Sequence, residues 1–318
     1  MKNFDYEIVK DPKVFEQNRL KAHSDHEYYD SEAYAYGEKS NFKYSLNGTW
    51  KFEFAKNYEV CDKDFYRLDR DCKSFDDIKV PAHIQLEGYD KIMYVNTQYP
   101  WDGHEAIEPG EIPAKENPVG NYVKYFTVPS FMKEGPVYIS FQGVESGFAI
   151  WLNGEYVGYS EDSFTPSEFD LTPFIKDGEN KLAVQVFKWT SGSWCEDQDF
   201  FRFSGIFREV YLYTVPKTHI RDLRIQTFLD DDYKDATLVI DMDVIGSGMV
   251  QMTLSDDDTD ILNKLAVEEG MNHMEVHVRE PKLWSAESPY LFDLQLNVFG
   301  ETGRLSEVIK EKVGFRSF

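Results

Sequence analysis

The 318-residue sequence is poor in cysteine, with Cys61, Cys72 and Cys195 forming an odd set that has neither a C-x-x-C pair nor metal-ligand spacing. This excludes a disulfide framework and a zinc ribbon. Long apolar runs are also missing: nothing approaches the roughly twenty residues of a membrane-spanning helix. The opening MKNFDYEIVKDP lacks the apolar stretch of a signal peptide. A cytoplasmic chain is therefore expected. Basic residues are scarce, since 34 Lys+Arg face 57 Asp+Glu and leave a formal charge of −23. Phosphate backbones and anionic lipid surfaces would be repelled, so neither nucleic acid nor a membrane is expected as a partner. The G-x-S-x-G elbow, H-E-x-x-H helix, P-loop and dinucleotide fingerprint are all absent. No long amphipathic helix is present either, which argues against parallel-sheet folds built on crossover helices.

What is present is apolar and aromatic: 42% hydrophobic residues and 16% aromatics suffice for a sizeable core. Residues 1–45 are polar and show neither sustained alternation nor a helical stripe beyond a turn or two around 14–20, and are expected as an extended arm. Short runs dense in Val, Ile, Phe, Tyr and Trp follow at 50–54, 122–128, 136–141, 181–189 and 207–213, separated by turn residues. The sharpest signal is FAIWL, then Asn153-Gly154, then EYVGY, because Asn-Gly supplies the two positive-φ residues of a type I′ hairpin. The pattern breaks at Pro216 and resumes with a more acidic texture, with strands expected at 219–228, 236–244, 249–254, 271–278, 290–298 and 305–313. The expected architecture is all-β: a jelly-roll β-sandwich over 46–215, followed by an immunoglobulin-like β-sandwich over 217–318.

Carboxylate pairs are too common in such an acidic chain to identify a general acid or nucleophile. His273, Glu275 and His277 fall on one face of an expected strand, either as exposed polar positions or as metal ligands. Two stretches mix aromatic rings with polar groups. VPAHIQLEGYDKIMYVNTQYP (80–100) carries His83, Gln85, Tyr89, Tyr94, Asn96 and Tyr99, a combination able to stack on a sugar face and bond its hydroxyls, or else to cover sandwich edges. SGSWCEDQDFFRFSGIFREVYLY (191–213) sets Glu196-Asp197-Gln198-Asp199 against Phe200, Phe201 and Arg202. A carboxylate held there must be paired, hydrogen-bonded or bound to a cation, so Asp197 or Asp199 is a candidate ligand, with an ion pair to Arg202 or Arg208 as the structural alternative.

These stretches resemble the large bacterial β-galactosidases of glycoside hydrolase family two. So do QNRL with Ala22-His23, SLNGTW (45–50), ENPVGNY (116–122), WLNG (151–154) with VGYS (157–160), PSEFD (166–170), SGIFR (204–208), PKLWS (281–285) and VGFR (313–316), all in the family's order. Two departures are Lys91, where a proline is common, and Phe201, where a tryptophan is usual. The resemblance implies a retaining enzyme that hydrolyses terminal β-D-galactosides such as lactose through two carboxylates of a (β/α)8 barrel. That barrel is expected beyond Phe318, so the chain is expected to be a non-catalytic N-terminal part, inactive alone. By resemblance Asn96 and Asp199 bind the galactosyl group and Asp199 also ligates sodium, while sodium and magnesium are cofactors of the parent enzyme, itself expected to be a homo-oligomer. The segment 18–23 resembles one that packs across subunits, and Trp284 reads as packing. Alternatives are a stand-alone carbohydrate-binding module, a subunit completing an enzyme in trans, or part of a sister β-glucuronidase or β-mannosidase.

Overall fold

The computed structural model describes residues 3–37, 40–196, 199–258 and 260–317. The chain divides into two compact units, one of Met1–Ala22 with Lys43–Thr214 and one of His23–Phe42 with Val215–Phe318.

The first unit is built on a seven-stranded antiparallel sheet, in the order Glu16–Gln17, Glu155–Ser160, Gly147–Leu152, Glu179–Phe187, Val119–Thr127, Gly48–Ala55 and Asp76–Val80. A four-stranded sheet, Ser167–Asp170, Tyr138–Phe141, Val210–Tyr213 and Lys43–Ser45, completes the jelly-roll sandwich. The core draws on both sheets, Trp50, Phe52, Tyr122, Phe148 and Val184 from the larger meeting Ile139, Phe141, Phe169 and Leu212 from the smaller. A second core holds Val9, Phe65, Cys72, Val123, Trp151, Tyr159 and Phe187. Trp151 and Phe148 belong to one strand at odd spacing, so they face opposite sides and the large sheet is buried on both. This is why Gly147–Leu152 is buried at every position instead of alternating. Among the polar residues inside, Gln185 Nε2 donates to Asn121 Oδ1 (2.8 Å), and Lys181 Nζ donates to the carbonyls of Arg67 (2.6 Å) and Arg70 (2.8 Å). The expected hairpin forms, with Asn153 at φ 54° and Gly154 at φ 85°.

The second unit is a two-sheet sandwich. Three strands, His219–Leu229, Ala236–Ile245 and Gly270–Val278, form one sheet. Five, in the order Tyr28–Tyr29, Leu305–Val313, Phe292–Gly300, Gly248–Ser255 and Asp260–Val267, form the other. Burial alternates along these strands, as it does when one face meets the core.

The first 45 residues, expected as one arm, are shared between the units. Phe4 packs edge-on against Trp151 (5.4 Å between centroids), Tyr6 stacks on Tyr58 (3.8 Å), and Glu16–Gln17 pairs as an edge strand with Ser160 and Tyr159. In the second unit Tyr28–Tyr29 pairs with Ile309 and Val308, followed by a short helix, Glu32–Tyr36, capped by Ser31. The apolar residues here are too irregularly spaced to reveal a face. They are covered by surface contributed from about fifty residues away, as at Tyr6 on Tyr58, to well over a hundred, as at Phe4 on Trp151.

Candidate functional site

The two aromatic stretches meet. Met93–Val95 and Phe200–Arg202 pair antiparallel, Phe200 opposite Val95, Phe201 opposite Tyr94 and Arg202 opposite Met93. They form a two-stranded ribbon that shares no ladder with another strand among the described residues. At the outer end of this ladder Asn96 directly follows Val95 and Asp199 directly precedes Phe200. Both are exposed. The Tyr94 hydroxyl donates to Asp199 Oδ1, and that acceptor raises the Tyr94 phenol above its ordinary pKa. One carboxylate oxygen is thereby engaged from within the ribbon.

Rings run from the ribbon into the sandwich. Tyr94 lies 5.3 Å from Phe201, Phe201 6.0 Å from Phe203, and His83 stacks between Phe203 (4.5 Å) and Phe207 (5.1 Å). Phe200 meets Phe164 edge-on at 6.1 Å. A second aromatic group binds the neighbouring loops: Tyr99 stacks on Trp101 at 5.1 Å, and Trp194, 4.5 Å from Tyr99, donates Nε1–H to the Glu111 carbonyl.

Several residues singled out in the sequence are structural. Tyr89 packs edge-on against Phe52 (4.8 Å) and donates to Asp76. His83 is half-buried and burial lowers its pKa, while Gln85 is buried. The loop composition thus joins two populations, one turned inward and one outward. Arg208, offered as a partner for Asp199, instead donates to the Phe164 carbonyl at 2.6 Å. Asp197 and Gln198 lie outside the described residues.

Buried charge behind the ribbon escaped the sequence reading. Glu145 has its carboxyl pushed up to about 7, first by burial and then by Glu196, against the opposing pull of Arg202 and Lys188. It lines, with Arg202, Trp189, Phe164 and Phe200, a cavity of about 20 Å³, room for about one water. No monosaccharide fits there. Glu161 accepts from the Tyr159 hydroxyl (2.6 Å) and the Gly192 N–H (2.9 Å), securing the start of the loop that leads to Asp199. A lysine or glutamate ending an apolar strand, as in VFKW and GYSE, was the available signal.

His273 stands on the exposed face of its strand between Asp241 (2.7 Å) and Glu275 (3.1 Å), and His277 faces Asp235 at 3.5 Å. Among the described residues no group of three or more His, Cys, Asp or Glu could hold a metal ion.

Comparison with known proteins accounts for nearly the whole chain. Residues 43–216 match the sugar binding domain of glycosyl hydrolases family 2, and residues 218–316 match the adjoining glycosyl hydrolases family 2 domain. The chain is 50% identical over 317 residues to a β-galactosidase of Halalkalibacterium halodurans, covering 98% of this chain and 31% of the relative. A β-galactosidase of Clostridium acetobutylicum is 46% identical, covering 98% and 35%. A β-galactosidase large subunit of Leuconostoc lactis is 42% identical, covering 97% and 52%. The chain thus spans about a third of the first two relatives and half of the third. Among solved structures, Bifidobacterium dentium β-glucuronidase superimposes with a TM-score of 0.66 at 20% identity over 88% of this chain and 49% of that one, a likeness of fold alone.

Proposed function

The chain belongs to glycosyl hydrolase family 2, and from that premise we propose that it is the non-catalytic, sugar-proximal part of a retaining β-galactosidase acting on terminal β-D-galactosides. The observation that supports this reading is the ribbon, which at one end runs directly into exposed Asn96 on one strand and exposed Asp199 on the other, with the Tyr94 hydroxyl donating to the Asp199 carboxylate. An amide and a carboxylate so placed would receive sugar hydroxyls, the amide both donating and accepting and the carboxylate accepting. With no enclosure of their own, they would act as one wall of a pocket completed by another part of the enzyme.

Asp199 fits one position in the coordination shell of a hard monovalent cation such as sodium, since its side chain is exposed and such a cation takes oxygen ligands. Sugar and protein oxygens from elsewhere would complete the set, and the cation would supply charge that orients hydroxyls. No described group of side chains fits magnesium, and no step is assigned to it. Large-subunit relatives favour a second reading, in which the chain belongs to a subunit that functions with a partner subunit.

The test is made in the full-length enzyme containing this segment. Asp199→Asn should reduce kcat/KM for a nitrophenyl β-galactoside by about a hundredfold or more, and should abolish its dependence on sodium. Unchanged turnover and sodium response, or a preference for β-glucuronides or β-mannosides, would overturn the assignment.

A further inference from the structure

A two-stranded ribbon is marginally stable by itself, and the rings of this one are only partly covered. Phe200 and Phe201 are both about half exposed, as is Tyr94. Something must fix its direction relative to the sandwich if Asn96 and Asp199 are to stand at a defined height.

The inner end of the ladder, opposite the end that carries those residues, is where the anchoring occurs. Asp90 lies three residues before Met93, and Ser204 two residues after Arg202. Gln85 ties them together: its Nε2 donates to Asp90 Oδ2 and to Ser204 Oγ, both at 2.9 Å, while its Oε1 accepts the Ser204 N–H at 2.9 Å. Lys188 then donates to the same Asp90 oxygen at 2.5 Å. Lys188 directly follows Glu179–Phe187, the central strand of the large sheet, and its own N–H donates to the Pro118 carbonyl. Lys188, Gln85 and Ser204 are each at most 5% exposed. Water is therefore largely kept from these bonds, and each one is directional. Burial acts to raise the Asp90 carboxyl, but Lys188 and Gln85 outweigh it and hold it below its ordinary pKa.

We propose that Gln85, Asp90, Lys188 and Ser204 are positioning residues, a polar clamp that fastens both feet of the ribbon to the central strand and so sets the placement of Asn96 and Asp199. Its bearing on catalysis rests on the galactoside reading above; its mechanical role does not.

Hydrogen exchange on the full 318-residue chain separates the two, because it needs no sugar. Gln85→Met removes the link at similar side-chain volume. The double variant Lys188→Met/Asp90→Asn removes the ion pair without stranding a charge. In both, peptides covering 92–96 and 199–203 should exchange about tenfold faster while those covering 119–127 and 179–187 keep their rates, the mark of local opening. Lys188→Arg, which retains the pairing, should restore ribbon protection. Unchanged ribbon exchange would overturn the clamp. So would equal acceleration throughout the first unit, which would mark these residues as general stabilisers. In the full-length enzyme Gln85→Met should lower kcat/KM for the galactoside and weaken the apparent sodium affinity together, because both depend on where Asp199 stands.

Discussion

In the first unit the seven-stranded sheet is covered on both faces, and its central strands are buried at nearly every position. In the second unit Gly270–Val278 alternates, with His273, Glu275 and His277 in solvent and Met274, Val276 and Val278 in the core. The difference shows what each sheet must support. A sheet with two cores holds polar residues such as Lys181 and Gln185 by hydrogen-bonding them inside, and it makes a stiff platform for irregular loops. A sheet with one core leaves its outer face free to carry charge at little cost.

The largest effect that would break this comparison lies on the outer face of the large sheet. Trp151 is 4% exposed and meets Tyr66 in a stack at 5.0 Å and Phe65 edge-on at 5.7 Å. If that face is a true core, Trp151→Ala should cost about 4 kcal/mol, as much as Phe148→Ala on the opposite face. Urea unfolding of both variants measures this. A cost below about 1 kcal/mol for Trp151→Ala would reduce the second core to a surface cover.

A smaller effect is the response of the second unit's core to pH. Glu307, in the second unit, is 1% exposed, and its Oε1 accepts the Ile220 N–H at 2.7 Å. Burial pushes its carboxyl up to about 8. The folded value lies above the unfolded one, so the folded state binds the proton more tightly. The stability this contributes is fully present below about pH 4.5 and is lost as pH rises to about 8. Between pH 6 and 8 the loss should be about 2 kcal/mol, and Glu307→Gln should flatten that slope. An unmodified slope in the variant would show that Glu307 is ionised and solvated.

A third effect is local to the hairpin on which the large sheet turns. Gly154 holds φ at 85°, where a Cβ is strained even though only Leu68 and Tyr66 stand nearby. Gly154→Ala should cost about 1 kcal/mol. A neutral result, read by thermal unfolding, would mean that the turn relaxes to another type.

These effects mark what could be read from residues in order. The Asn153-Gly154 turn, the apolar runs beside it and the break at Pro216 are local signals, and the sandwich order follows from them. Asp260–Val267 was passed over because Leu262, 57% exposed, interrupts the alternation that marks a strand. The first 45 residues read as an arm in sequence because the contacts that cover them, such as Phe4 on Trp151 and Tyr28 beside Ile309, come from distant surface. Asn96 and Asp199 could be named only through resemblance. That their strands pair, and that Gln85, Asp90, Lys188 and Ser204 converge beneath them, depends on contacts between residues up to about 120 positions apart, which no periodicity encodes.

The smallest effect sharpens the other side of the comparison. His273 is exposed, and its imidazole is flanked by Asp241 and Glu275 on the outer face of the second unit's sheet. Its hydrogen bond to Asp241, and then that to Glu275, raises its pKa above the ordinary imidazole value. The folded value being raised, whatever these contacts contribute is present below the unfolded pKa and lost as pH rises through the folded one. Solvent and salt screen such a pair, so stability should scarcely respond. The proton itself should respond. An NMR titration is expected to place the His273 midpoint above that of a free imidazole, with Asp241→Asn moving it down and added salt doing the same. A midpoint indifferent to both would mean that the ring stands apart from its neighbours, and that even the arrangement on the open face owes nothing to charge.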